Sequence, residues 1–137
     1  MMLLSLFAAA AIGCGERDSE PRLPESNLRL VAVLYSQYAF AHEGEAPADA
    51  ADFRAFIESL GPGVLERAGL SDLDELLESR RDGQPFALKY KNGNWALDRA
   101  IAYEQKGTDG TRYVATDLGS VSEITEEQFQ KRLNGTK

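Results

Sequence analysis

The stretch RRDGQPFALKYKNGNWALDRAIAYEQKGTDGTRYVATDLGSVSEI, Arg80 to Ile124, decides the fold class. Short apolar and β-branched runs alternate there with glycine-containing turn signals, which is the grammar of strands. Asn92-Gly93, between PFALKY and NWAL, predicts a two-residue hairpin with both turn residues at positive φ. AIAYEQ and TRYVATD flank KGTDG, a longer turn, and Leu118-Gly119 turns the chain again into SVSEI. These segments predict an antiparallel meander of three to five strands.

Upstream the period changes. SNLRLVAVLYSQYAFAH, Ser26 to His42, is the longest helical pattern, with Ser26 as its expected cap. Leu28, Val31, Ala32, Tyr35, Tyr38, Ala39 and His42 share one face. Leu30, Val33 and Leu34 widen it, so that Arg29, Ser36 and Gln37 alone look solvated and the helix is expected to be buried on most of its girth. Gly44 and Pro47 break it. Ala48 to Leu60 predicts a second helix with a stripe of Phe53, Phe56, Ile57 and Leu60, stopped by Gly61-Pro62-Gly63. Short helical turns follow around Gly69, the later one with Ser71 as expected cap and Leu73, Leu76 and Leu77 pointing inward. Thr125 to Asn134 predicts a closing helix capped by Thr125. Helices first and strands later predict an α+β fold: a long N-terminal helix and short helices packed on one face of an antiparallel meander, with a short C-terminal helix.

The chain of 137 residues carries a net charge of −7. That length suits one domain with a core of its own. With no basic stripe, a nucleic-acid partner is not expected. One cysteine, Cys14, leaves no intrachain disulfide and no cysteine-based metal site.

Cys14 sits where an apolar run, Met1 to Gly13, meets a polar one. The run is too short for a hydrocarbon core, which needs roughly 20 residues, and suits the apolar region of a secretory signal. Ala11-Ile12-Gly13-Cys14 resembles the lipobox of bacterial lipoproteins. The resemblance implies cleavage before Cys14, diacylglycerol on its thiol and often acylation of the new amine. Two or three acyl chains hold a protein at a membrane far better than one. Residues 1–13 are thus expected to be a signal peptide, 14–25 the acylated cysteine and an extended polar tether, and 26–134 the domain. The expected location is a bacterial membrane, reached through lipid on Cys14.

Three further segments resemble bacterial pseudopilins: NLRLVAVLYSQYAFAHEGEAP as the aromatic-rich helix and its break, DGQPFALKY with Gly83, Pro85 and Phe86 at the first strand, and TRYVATDLGSVSEITEEQF as the late strands and acidic helix. The resemblance implies the soluble head of that family. The family's peptidase site followed by a membrane-spanning helix has no counterpart here, so filament assembly by that route is not implied.

The remaining chemistry is sparse. Asp109 in GTDG, flanked by Glu104 and Asp117, has too few acids at the wrong spacing for a calcium loop and is expected to be a turn residue. His42, the only histidine, has Glu43 and Glu45 merely as neighbours and is expected to be structural or solvated. Asp72, Asp74, Glu75 and Glu78 suit a solvated face, and Arg80-Arg81 is too small for a phosphate site. Trp95 is expected on the sheet, and Tyr35, Tyr38, Tyr90, Tyr103 and Tyr113 in the core rather than a groove. No cofactor or metal is expected. The leading expectation is a non-enzymatic, lipid-anchored envelope protein that interacts with or scaffolds an envelope partner. The alternative is a small envelope enzyme or ligand-binding domain with an acidic or aromatic cleft.

Overall fold

The first helix, α1 (Ser26–Ala41), turns Leu28, Val31, Ala32, Tyr35 and Tyr38 into the core, as the helical spacing predicts. The structure, a computed structural model, describes residues 26–135. The signal segment, Cys14 and the tether lie outside the described residues, as does the side chain of Ser26 expected to cap α1. Three short helices follow: α2 (Ala50–Ser59), α3 (Gly63–Ala68) and α4 (Leu73–Leu76). Asp49 caps α2, its carboxylate accepting the Asp52 N–H at 2.9 Å.

Two expectations about these helices need correction. The cap of α4 is Asp72, not Ser71: its carboxylate accepts the Glu75 N–H at 2.8 Å, while the Glu75 side chain accepts the Ser71 N–H at 2.9 Å. Leu60 is exposed rather than part of the inner stripe of α2, because it lies past the last helical turn, whereas Phe53 and Ile57 are buried.

The meander has four strands, β1 (Ala87–Leu88), β2 (Ala100–Tyr103), β3 (Thr111–Thr116) and β4 (Val121–Thr125), in sequential antiparallel order. Between Ala100 and Ala102 the register shifts by one residue. The bulge leaves Ile101 and Ala102 both in the core beneath α1, while Ala100 joins the opposite face. The two-residue hairpin expected at Asn92-Gly93 is absent, because neither residue has positive φ. The backbone donors there are engaged elsewhere. Lys91 N–H reaches the Pro47 carbonyl at 2.8 Å and Asn92 N–H the Ala48 carbonyl at 3.1 Å, tying the turn to the loop before α2. The chain then runs irregularly past Trp95 and Leu97 before it enters β2.

The two-residue turn with positive φ is instead Asp109-Gly110, at +54° and +77°, between Thr108 and Thr111, which exchange both backbone hydrogen bonds. Asp109 is a turn residue, as expected.

The closing helix α5 (Glu126–Leu133) begins with a capping box in which Thr125 and Gln128 satisfy each other's backbone N–H. It covers the face of the sheet opposite α1. Phe129 is buried there with Leu97, Ala100 and Val114, and Trp95 and Tyr103 pack against them. Trp95 donates its indole N–H to the Leu97 and Ala100 carbonyls, at 2.7 and 2.9 Å, which accounts for a polar atom on a mostly apolar side chain.

Candidate interaction surface

A helix laid on a sheet through Leu28, Val31, Tyr35 and Tyr38 must aim another side of its cylinder away from that sheet. Val33 and Phe40, seven residues apart and therefore nearly in line along the axis, occupy that side. Val33 is 42 % exposed and Phe40 93 %. The expectation that Val33 widens the buried face is thus corrected, whereas Leu34 is buried and Leu30 partly so.

Leu118, in the turn between β3 and β4, comes alongside. It is 90 % exposed. Ser36 holds the turn in place by donating its hydroxyl to the Asp117 carbonyl at 2.8 Å. Val33, Ser36, Gln37, Phe40, Leu118 and Gly119 line a shallow hollow of about 350 Å³. On the other side of Val33, Leu30, Leu34, Leu60 and Val64 border a second groove of about 420 Å³ between α1 and α3. The outward side of α1 is therefore an apolar edge with Val33 shared between two hollows. Scattered exposed apolar side chains need no explanation, whereas a contiguous apolar edge built from separate segments is a candidate for an interaction surface.

The helical stripe and the turn signals do not single out Phe40 or Leu118. The available signal was the seven-residue spacing of Val33 and Phe40, together with a leucine at a turn position that usually takes a polar residue.

The other expected positions are spoken for by the fold. In the acidic run, Asp72 and Glu75 cap backbone N–H groups, and Asp74 pairs with Arg54 at 2.6 Å. His42 is exposed and stacks flat on Tyr38, 3.9 Å between centroids, with Nδ1 donating to the Tyr38 carbonyl at 2.8 Å. The Tyr38 hydroxyl donates to Asp52 at 2.5 Å, and that bond pushes the phenol up to about 12. The hollow beside Tyr35, its one aromatic lining residue, holds about 320 Å³. The Tyr35 hydroxyl there is taken by the Lys89 carbonyl at 2.8 Å, so it faces the wall rather than a ligand. Tyr35 and Tyr38 are buried, whereas Tyr90, Tyr103 and Tyr113 are partly so.

Arg81 has the part least visible in the sequence. Its guanidinium meets Glu104 at 2.9 Å and Glu123 at 3.0 Å, donates to the Thr111 carbonyl at 3.0 Å and lies 4.1 Å over the Tyr113 ring. Burial works against this charge, but Glu104, with Tyr113 and Glu123, more than offsets it and holds the guanidinium above its ordinary value. Next to it, burial opposes the Asp82 charge. The N–H groups of Gln84, Gly107 and Lys106 outweigh that effect and hold the carboxyl below its usual range. Both groups clamp the loop after α4 onto the sheet.

Among the described residues, no group of three or more His, Cys, Asp or Glu is placed to hold a metal ion, and no helix is long and apolar enough to cross a membrane. No family model, curated protein or solved structure matches the chain. None of these comparisons supports the resemblance to pseudopilins expected from the three motifs.

Proposed function

We propose that the protein is exported, held to a bacterial membrane by lipid on Cys14, and acts there as a non-enzymatic interaction module through its apolar edge. The observation that carries the reading is the pairing of Phe40 and Leu118, two large apolar side chains at least nine-tenths exposed and set beside each other by α1 and the β3–β4 turn. Cys14 supplies the anchor, because the lone cysteine stands where an apolar run of signal-like length gives way to a polar segment. Asp72, Asp74 and Glu75 of the acidic run and the Tyr35 hydroxyl already serve caps, an ion pair and a backbone carbonyl, which favours interaction over catalysis.

The test is the intact mass of the protein recovered from its own membranes. The expected mass is that of a chain starting at a diacylglyceryl-modified Cys14, and Cys14→Ala should leave the protein uncut by the lipoprotein peptidase. An unmodified N-terminus at another residue would overturn the anchor.

A further inference from the structure

We infer that the occupant of the apolar edge is the bilayer itself: with the chain anchored at Cys14, α1 lies along the membrane, and Phe40 and Leu118 enter its interfacial region. This rests on the anchoring proposed above and adds what the edge touches.

The two side chains come from different segments, and the fold fixes their relation. Ser36 bonds the Asp117 carbonyl, and Gly119 sits so close to Val33 that an added Cβ would be in van der Waals contact, 4.0 Å from a valine methyl. The edge is thus a preformed pair of apolar teeth on a rigid base rather than one stray side chain.

Reach comes next. Phe40 lies about 21 Å along α1 from its first residue, at 1.5 Å per residue. Residues 15–25, between the lipidated cysteine and α1, span at most about 40 Å. An anchor at Cys14 therefore lets the whole length of α1 meet the same leaflet. Tethering makes that meeting intramolecular, at an effective concentration on the order of millimolar, so a weak apolar contact suffices. A soluble partner has no such advantage.

Charge points the same way. The residues lining the hollow are all uncharged, and the chain carries −7. Anionic headgroups repel such a molecule, so insertion of apolar side chains, not electrostatic attraction, is what can hold it to a membrane. Two copies, each at −7, repel each other likewise.

The mature chain, residues 14–137, serves as the probe, since its described cores draw on residues 28–133. It is coupled through Cys14 to a maleimide lipid in phosphatidylcholine vesicles, which makes attachment independent of native acylation. Phe40→Trp places an indole on the edge, while the native Trp95 reports from the α5 side of the sheet. Brominated phosphatidylcholine should quench the introduced emission at least twofold and leave the wild-type emission from Trp95 unchanged. Leu118→Ser in the same background should remove half or more of that quenching. Equal emission with and without bromine, on chains that stay vesicle-bound, overturns the docking. Cross-links between chains through the edge, with no quenching, assign it to a second copy and overturn it as well. Quenching on these vesicles, combined with an unmodified native N-terminus, supports the docking and removes the native anchor alone.

Discussion

Arg81 and Glu104 form a forked ion pair, Nη2 to Oε1 at 2.9 Å and Nε to Oε2 at 3.3 Å, around a carboxylate that is only 1 % exposed. Glu104 also accepts the Ser79 hydroxyl at 2.5 Å and the Tyr113 N–H at 2.7 Å, so its two oxygens are shared between the 79–81 loop and β3. Glu104→Ala would leave the guanidinium buried without its main partner and the Tyr113 N–H without its acceptor. The expected loss is about 3–5 kcal/mol of unfolding free energy. Glu104→Gln keeps hydrogen-bonding capacity and should lose less. Urea unfolding of both variants checks the order, and equal losses would mean that charge contributes nothing here.

Gly107 and Gly93 should respond oppositely to the same substitution. Gly107 has φ of +74°, and a Cβ there would collide with the Thr111 carbonyl oxygen. Gly93 lacks positive φ, and its added Cβ would come no nearer than 3.8 Å to the Tyr90 carbonyl oxygen. Gly107→Ala should therefore destabilise by about 2 kcal/mol or more, while Gly93→Ala stays within about 0.5 kcal/mol. Thermal unfolding decides between this and a hairpin at Asn92-Gly93.

The two sides of α1 give a second contrast. Val31 is fully buried against the sheet-facing core. Val31→Asp removes that burial and adds an unpaired carboxylate, for an expected loss of about 3 kcal/mol or more. Gln37→Asp on the exposed side and Phe40→Ser on the edge should each change stability by less than about 0.5 kcal/mol. A Phe40→Ser variant that melts well below the wild type would show that this phenylalanine belongs to the fold rather than to an interaction.

Alkaline pH should loosen the packing under α1. Burial pushes the Tyr35 phenol up to about 12, and the hydrogen bond to Asp52 does the same for Tyr38. An unfolded tyrosine ionises near about 10. Because the folded values are raised, the stability these phenols contribute is fully present below pH 10 and is lost as pH rises through 12. Absorbance titration should show Tyr35 and Tyr38 ionising together with the loss of ellipticity near pH 12, and Tyr90, which burial also raises, ionising later than an unfolded tyrosine. Ionisation of all five near pH 10 in a folded protein would contradict the burial of Tyr35 and the Tyr38–Asp52 bond.

What the sequence determined alone was local. The spacing of Val31, Tyr35 and Tyr38 makes a helix with one core-facing side, Thr125 and Gln128 mark the start of α5 within four residues of each other, and Asp-Gly or Leu-Gly pairs end strands. Neighbours in the chain supply all the atoms involved, so their identities suffice. The meander and its α+β class follow from the order of those local signals.

Only the tertiary structure decided which signals were used. Asn92-Gly93 lost its hairpin because distant carbonyls of Pro47 and Ala48 accept the nearby N–H groups. α5 took the second face of the sheet because Phe129 finds Leu97, Ala100 and Val114 there. Arg81, in the loop after α4, finds Glu104 just past β2, and Phe40 is left outside with Leu118 because the opposite side of α1 is filled. In each case the outcome turns on which distant group claims a donor, a charge or an apolar face. That competition is settled by burial and by partners far along the chain, which no short window of residues contains.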